Sequence, residues 1–259
     1  MQDRDREAEG PPGMLRRRII GVALPGKVEV GLEDDYHHVE LTLRHDGERV
    51  VEIAGIFPRN PFDSCSGSLG RLPDLNGLPL STRPWQLPRE FAAKQHCTHM
   101  LDLAIFAVAQ AARGGTRQYD LEAPDPDPLE PGKQILIARR DGIETLRWTL
   151  AGRTVTAPHD FAGLEMAGLA QWAHATQDDE NLELILMLRR TALISGGRRM
   201  GPLRQTSVGD YIGHKGGACF TYQPGNESLL RKLDSIKDFT DHPERLLADF
   251  RRAHLGPDR

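Results

Sequence analysis

The sequence has few cysteines and no excess of basic residues. Its 259 residues include three cysteines, at positions 65, 97 and 219, an odd number that does not form a disulfide framework. Lysine and arginine number 33 against 37 aspartate and glutamate, which gives a net charge of −4. Because no basic surface is available to displace counterions from a phosphate backbone, nucleic acid is not an expected partner. In a reducing compartment the three thiols are expected to be packed, catalytic or bound to a metal.

Long hydrophobic runs are missing as well. No stretch approaches the roughly 18 apolar residues that a membrane-spanning helix needs. The first residues, MQDRDREAEGPPG, are polar and acidic, unlike a signal peptide. We therefore expect a cytoplasmic protein without a membrane partner, and a disordered tail over residues 1–13.

The short motifs of several enzyme classes are also lacking. The chain contains no CxxC or HExxH element, which argues against zinc ribbons and against metallopeptidases with that signature. Its glycines do not have the spacing of a phosphate-binding loop, and no GxSxG elbow is present. These absences argue against nucleotide enzymes and against a serine-centred catalytic triad.

What is present is the composition and patterning of a globular protein of mixed secondary structure. Hydrophobic residues make up 39% of the chain and charged residues 27%, an ordinary balance for a protein with a core. Apolar and polar residues alternate over 39–43 and resume over 50–53 after an Asp-Gly turn, which predicts a β-hairpin. Residues 98–112 are apolar on most of the helical circumference and are followed by two glycines, so a buried helix is predicted there. Residues 57–88 are rich in proline, glycine, serine and asparagine and predict a loop with a short helix near 68–72.

A second unit is predicted after the acidic, proline-rich linker at 122–131. Three short strand patterns joined by glycine-containing turns indicate an antiparallel meander, at 134–139, 143–150 and 153–157. Further patterns predict a helix at 161–175, a strand or a helix at 182–194, a packed β-like segment around Cys219 and an amphipathic helix at 243–254. The fold class is therefore α+β, an antiparallel sheet with a buried helix packed on it, followed by a second antiparallel meander unit with a helix. The predicted divisions are 1–13, 14–113, 116–200 and 201–259.

One candidate site is centred on Cys97, at the start of the buried helix. The positive end of a helix dipole favours a thiolate, so a lowered pKa is expected for this cysteine. His96 and His99 flank it, and either imidazole could serve as a base for the thiol or as a second metal ligand. The alternative is that Cys97 packs as a small apolar residue and the histidines face solvent.

Two further elements could contribute to the same site. Asp35 and His37 precede the predicted hairpin, and alternation along a strand would place both on one face. The alternative is a solvated strand start. Cys65 lies in a polar loop with small neighbours and an acid nearby, so it is not readily explained as a core residue.

These residues resemble those of a bacterial family catalogued as domain of unknown function 2889. The resemblance rests on the sequence DDYHH at 34–38, on Cys65, and above all on CTHMLDL at 97–103. It spans most of the chain, including the segment ACFTYQP at 218–224. The resemblance implies a bacterial protein but does not imply a particular reaction.

The order of hairpin, loop cysteine and His-Cys before a helix is also similar to the U-type iron-sulfur cluster scaffold proteins, over about 80 residues. That resemblance implies a metal site in which Asp35 takes the place of the first scaffold cysteine and His37 that of the scaffold aspartate. Cys65 and the pair His96-Cys97 match the remaining positions. Because a carboxylate replaces a thiol, a single zinc or ferrous ion suits the set better than a cluster.

Three functional hypotheses follow from this pattern. The first is a metal-dependent hydrolase or lyase acting on a small organic molecule, with Asp35, His37, Cys65 and Cys97 as ligands of zinc or ferrous iron and His99 as acid or base. The second is a metal-independent enzyme with Cys97 as nucleophile and a neighbouring histidine as base. The third is a metal or sulfur carrier without turnover. The partners expected are a small-molecule substrate and, as an open alternative to a monomer, a second copy of the chain.

Overall fold

The computed structural model describes residues 13–83, 93–126, 129–130, 132–198, 207, 209, 217–226, 228–229 and 235–256. The disordered tail predicted for 1–13 lies outside these residues, apart from Gly13. The chain divides into two compact units. We call the described residues of 18–118, 204–237 and 244–259 the hairpin unit, and those of 1–17, 119–203 and 238–243 the meander unit.

Within the described residues, eight strands are hydrogen-bonded in the order β4-β3-β2-β1-β5-β6-β7-β8. Their bounds are β1 Met14–Leu24, β2 Lys27–Asp34, β3 His38–His45, β4 Val50–Arg59, β5 Thr116–Pro124, β6 Lys133–Arg140, β7 Ile143–Ala151 and β8 Thr154–Ala157. The α-helices whose bounds lie within the described residues are α1 Thr98–Arg113, α2 Leu169–Thr176, α3 Asp179–Ser195 and α4 Ala248–His254. The α+β prediction is confirmed. No helix among the described residues is long and apolar enough to cross a membrane.

The predicted hairpin is strands β3 and β4, which pair antiparallel. Along β3 every second residue, from Val39 to Leu43, is fully buried, while the residues between them are at least partly exposed. In the connecting turn, the Asp46 carboxylate accepts the backbone N–H groups of Glu48 and Arg49, both at 2.8 Å. The alternation and the Asp-Gly pair therefore specified both the strands and the turn.

The predicted meander is strands β6, β7 and β8, which are also antiparallel. The β6–β7 turn contains Asp141 and Gly142, both with positive φ, as a tight two-residue hairpin turn requires. Residues 182–194, for which the sequence allowed a strand or a helix, belong to helix α3. Asp178 begins this helix by accepting the backbone N–H of Asn181 at 2.8 Å.

Several boundaries predicted from the sequence are wrong. The supposed linker begins inside β5, and the supposed loop at 57–88 begins inside β4, because neither proline nor polar composition prevents an extended strand end. A 3₁₀ segment occupies Asp63–Leu75, longer than the short helix predicted there. The helix predicted at 161–175 starts only at Leu169, and the segment around Cys219 consists of turns and bends rather than β structure.

Helix α1 packs on β2, β3 and β4, as the sequence predicted for a buried helix. Glycine on the underlying strands allows the close approach. A Cβ atom added at Gly21 of β1 would lie 2.8 Å from Cε1 of Phe106, and one added at Gly55 of β4 would lie 2.8 Å from the terminal methyl group of Met100. Phe106 is completely buried, so its ring has little space to move.

Substitution Gly21→Ala is therefore expected to destabilise the protein. The new methyl group would overpack the contact with Phe106, at a cost of about 1–3 kcal/mol in the free energy of unfolding. Chemical denaturation measures the change, and the double variant with Phe106→Leu should recover part of the loss because it removes the opposing ring. If Gly21→Ala leaves the unfolding midpoint unchanged, the ring is not confined as described.

The other face of β2 is covered by the C-terminal helix α4. A Cβ atom at Gly31 would lie 3.0 Å from the Phe250 ring and 3.1 Å from a methyl group of Leu247. The amphipathic helix predicted at 243–254 is shorter than expected, because Leu247 has a left-handed backbone conformation and α4 starts after it. Its predicted inward residues Leu246, Leu247 and Phe250 are nevertheless all buried.

Candidate functional site

The turn between β2 and β3 forms the centre of the candidate site. The Asp34 carboxylate oxygen Oδ1 accepts the backbone N–H groups of Tyr36 (2.9 Å) and His37 (2.8 Å). The backbone N–H of Asp34 donates to the carbonyl of His37 at 2.9 Å. Aspartate commonly closes turns in this way. Residues 35–37 are thus a turn and not part of a strand, so the expectation that Asp35 and His37 share a strand face is wrong.

Arg59, the last residue of β4, binds the backbone carbonyls of this turn. Its guanidinium donates to the backbone carbonyls of Asp34, of Asp35 at 2.7 Å and of His37 at 3.3 Å. It also donates to the carbonyl of Ser235 at 2.9 Å. Since Arg59 is only 9% exposed, these carbonyls are satisfied by a buried cation rather than by water.

Glu33 supplies the counter-charge for Arg59. Its Oε1 lies 3.2 Å from the guanidinium Nη2, and both side chains are largely buried. The other oxygen, Oε2, accepts the backbone N–H of Leu247 at 2.7 Å. The backbone N–H of Lys237 in turn donates to the carbonyl of Asp35 at 2.9 Å. Hydrogen bonds therefore connect the turn and its neighbours to the C-terminal residues as well as to the sheet.

Three side chains at this turn bring metal-binding atoms together. Asp34, His37 and His99 each offer one ligand atom, and these atoms lie within 4.8 Å of one another. The rings of His37 and His99 are stacked, with centroids 3.6 Å apart. Asp34 is fully buried and His37 is 7% exposed, whereas His99, in the first turn of α1, is half-buried. The group is thus enclosed at Asp34 and His37, and His99 is its partly exposed member, although the Nε2 atom of His99 is buried.

The side chains of Asp34 and His37 are in hydrogen-bonding contact. Nδ1 of His37 lies 2.9 Å from Oδ1 of Asp34. A carboxylate hydrogen-bonded to Nδ1–H lies on the opposite side of the imidazole from Nε2, so one ion cannot bind both this carboxylate and Nε2. An ion shared by Asp34 and His37 would therefore replace the Nδ1 proton and bind Nδ1.

These donors fit a divalent cation of the zinc or ferrous class. Zinc binds nitrogen and oxygen at about 2.0–2.1 Å, so the ligand atoms of a tetrahedral site are about 3.4 Å apart. The ligand atoms of Asp34, His37 and His99 lie within 4.8 Å of one another, so small side-chain movements would bring them to that spacing. Two imidazoles and one carboxylate form the ligand set of many catalytic sites, which retain a coordination position for substrate or water.

Cys97 lies next to this group, but its thiol does not have the lowered pKa that the sequence predicted. Its Sγ is 3.9 Å from Nδ1 of His99. Burial raises the pKa of the Cys97 thiol, and the nearby Cys65 raises it further, while backbone N–H groups at the start of α1 lower it only in part. The expectation of a lowered pKa is therefore wrong, because the loss of solvation outweighs the helix dipole.

The two histidines that flank Cys97 have separate surroundings. His96 is buried, and its Nε2 lies 3.5 Å from Oδ2 of Asp74 rather than beside the thiol. Burial lowers the pKa of His96, and the charge of Asp74 opposes that effect. Of the two imidazoles that the sequence offered as bases, the structure places His99 in contact with Cys97.

The remaining predicted ligands, Cys65 and Asp35, have other partners. Cys65 is buried and its Sγ is 3.3 Å from Oγ1 of Thr221. Asp35 is buried and contributes its backbone carbonyl to Arg59 and Lys237. Of the predicted set Asp35, His37, Cys65 and Cys97, only His37 belongs to the group whose ligand atoms lie within 4.8 Å. A ligand role for the other three stays a prediction.

Sequence reasoning missed Asp34 and Arg59. Asp34 could have been found, since aspartate commonly closes a turn by accepting the backbone N–H groups of the residues two and three positions later. Arg59 gave no local signal, because its partners lie 22 or more positions away in the sequence.

A scan of the chain against protein-family models gives no match, and a search among curated proteins gives none either.

Proposed function

We propose that the protein is a metal-dependent enzyme of the hydrolase or lyase type, acting on a small organic molecule, with zinc or ferrous iron held by Asp34, His37 and His99. The observation that supports this proposal is the approach of one carboxylate and two imidazoles to within 4.8 Å in a largely buried turn.

The bound cation would polarise a carbonyl group or lower the pKa of a water molecule. The residues of the chain supply the remaining requirements. Arg59 holds the backbone carbonyls on both sides of the turn that carries Asp34 and His37.

A second candidate is a metal-independent enzyme with Cys97 as nucleophile and His99 as base. The 3.9 Å contact between Sγ and Nδ1 favours it. The raised pKa of the thiol argues against it, since a thiol that stays protonated is a weak nucleophile. Metal analysis distinguishes the two candidates, because only the first needs a stoichiometric ion.

The broader assignments made from the sequence are proposals of the same kind. They are membership of the bacterial family named above, a cytoplasmic location, a small-molecule substrate and self-association as a homodimer. The motif CTHMLDL at 97–103 supports the first.

The metal proposal predicts that substitution Asp34→Asn weakens zinc binding by about 10–100-fold, the effect common for groups that ligate or orient ligands. An asparagine Oδ1 still accepts the two backbone N–H groups, so the turn should remain folded, but the negative charge is lost. Isothermal titration of chelator-treated protein with Zn²⁺ measures the affinity, and about one ion per chain is expected for the unsubstituted protein.

Asp46→Asn is a matched control. Asp46 closes the β3–β4 turn with the same two backbone hydrogen bonds, at the same spacing along the chain, but outside the three-donor group. Zinc affinity should be unchanged in this variant. An unsubstituted protein that takes up no zinc or ferrous ion, or equal affinities in the Asp34 and Asp46 variants, would contradict the proposal.

A further inference from the structure

Helix α1, which carries His99 in its first turn, begins without the usual capping side chain. Its N-cap residue is Cys97, whose sulfur is a weak acceptor and forms no capping hydrogen bond. Serine, threonine, asparagine or aspartate commonly fills this position and fixes the start of a helix. The residues just before α1 are held instead by hydrogen bonds from a distant part of the chain.

Those hydrogen bonds come from residues 219–223. The backbone N–H of Phe220 donates to the carbonyl of His96 at 3.0 Å. The side-chain amide of Gln223 donates to the carbonyl of Lys94 and to that of Cys219, both at 2.9 Å. Gln223 therefore links the residues before α1 to a segment that lies 129 positions further along the chain.

The same C-terminal part of the chain contacts the turn between β2 and β3. The backbone N–H of Lys237 donates to the carbonyl of Asp35 at 2.9 Å. Arg59 donates to the carbonyl of Ser235, also at 2.9 Å. Two short C-terminal stretches thus contact both elements that carry the three-donor group, the turn with its carboxylate and one imidazole and the start of α1 with the other imidazole.

We propose that Gln223 is a positioning residue for His99, and that a bound metal ion and the segment 219–223 stabilise each other. This inference rests on the metal binding in the proposed function, but it does not require turnover. Gln223 acts through the residues before α1, and the ion binds the side chains of Asp34, His37 and His99.

Preorganisation is the physical basis of this coupling. The ligand atoms of Asp34, His37 and His99 lie within 4.8 Å of one another, and those of a tetrahedral zinc site are about 3.4 Å apart. While the start of α1 is held, only small movements are needed, so little of the binding free energy is spent on ordering His99. Loosening the start of α1 adds that ordering cost to binding. Because coupling is reciprocal, an ion that favours the held position also favours attachment of residues 219–223.

Two substitutions of Gln223 test the inference by isothermal titration of the chelator-treated full chain with Zn²⁺. Gln223→Glu keeps the shape of the side chain, but a carboxylate cannot donate to either carbonyl. Zinc affinity should fall about 5-fold or more, as is usual for coupled sites. Gln223→Lys restores donors and should recover most of the affinity. This order is the reverse of what charge alone would produce, because a carboxylate attracts a cation and an ammonium group repels it.

Gln110→Ala is the matched control. Gln110 lies near the other end of α1, where its side-chain amide also donates to two backbone carbonyls, those of Gly114 at 2.9 Å and Gly115 at 2.8 Å. Because Gln110 is fully buried, this variant should be less stable than the unsubstituted protein. Its zinc affinity should nevertheless be unchanged, which separates the position of His99 from general stability.

Hydrogen exchange provides the reciprocal measurement. Saturating Zn²⁺ should slow exchange of the Phe220 backbone amide about 5-fold or more and leave the Glu48 amide of the β3–β4 turn unaffected. Either of two results would overturn the inference: a zinc affinity of Gln223→Glu that is not below that of Gln223→Lys, or a Phe220 exchange rate that zinc does not change. Absence of zinc uptake would refute both this inference and the proposed function, whereas zinc uptake without turnover would refute only the enzymatic proposal.

Discussion

Replacement of Arg59 by methionine is expected to lower the free energy of unfolding by about 3–5 kcal/mol, the usual result of removing one partner of a buried ion pair. Methionine keeps much of the side-chain length but none of the five donors of the guanidinium. Glu33 would lose its cationic partner, and the carbonyls of Asp34, Asp35, His37 and Ser235 would each lose a donor. Urea denaturation of the variant measures the loss.

Arg44→Met provides the comparison. Arg44 lies on β3 of the same hairpin and pairs with Glu52 at 3.6 Å, but both side chains are more than half exposed. Exposed ion pairs of this kind contribute about 0–1 kcal/mol, so this variant should be nearly as stable as the unsubstituted protein. Equal stability of the two variants would mean that Arg59 does not hold the site turn.

Replacement of Phe106 by alanine should cost a similar amount, about 3–5 kcal/mol, through a different mechanism. Phe106 is fully buried on α1, and its ring contacts β1 at Gly21. Glycine has no side chain that could fill the space vacated by the ring, so the cavity should persist rather than collapse. The variant should show a lower unfolding midpoint and bind ANS more strongly if the helix loosens.

Val51→Ala is the control for this cavity. Val51 is an aliphatic residue of β4 that is 56% exposed, so its truncation leaves no enclosed space and should cost less than about 1 kcal/mol. A loss in Phe106→Ala no larger than that in Val51→Ala would show that α1 is not packed tightly on the sheet.

The parts of the fold that were predictable are those with local periodicity. Val39 to Leu43 alternate because one face of β3 is buried, and the apolar circumference of α1 reflects burial on nearly all sides. The meander was predictable from its short strands and from turns such as Asp141-Gly142. Strand β1 was not assigned, because its two faces have little contrast: Ile19, Ile20, Gly21 and Val22 are all buried in succession. Strands β2 and β5 were not assigned either, although every second residue from Val28 to Leu32 and from Tyr119 to Ala123 is apolar and buried.

The candidate site was only partly predictable, because alternation applies to strands and fails at turns. Extending the strand pattern back to Asp35 placed the wrong carboxylate beside His37. The pKa of Cys97 was misjudged for a related reason, since the helix dipole is visible in the sequence and complete burial is not. The contact of residues 219–223 with the start of α1 depends on hydrogen bonds between residues more than 120 positions apart, for which a single sequence offers no signal.

The hydrogen bonds that join the site turn and its neighbours to the C-terminal residues can form only late in biosynthesis. Arg59 and Ser235 are separated by 176 positions, and Glu33 and Leu247 by 214. At a synthesis rate of about 5–20 residues per second, Arg59 would leave the ribosome's catalytic centre roughly 9–35 s before Ser235 is added. During that interval the hairpin can pair, but the guanidinium lacks one of its acceptors and Glu33 lacks the N–H of Leu247. The site turn is therefore expected to gain protection from hydrogen exchange late in folding, after the hairpin that carries it.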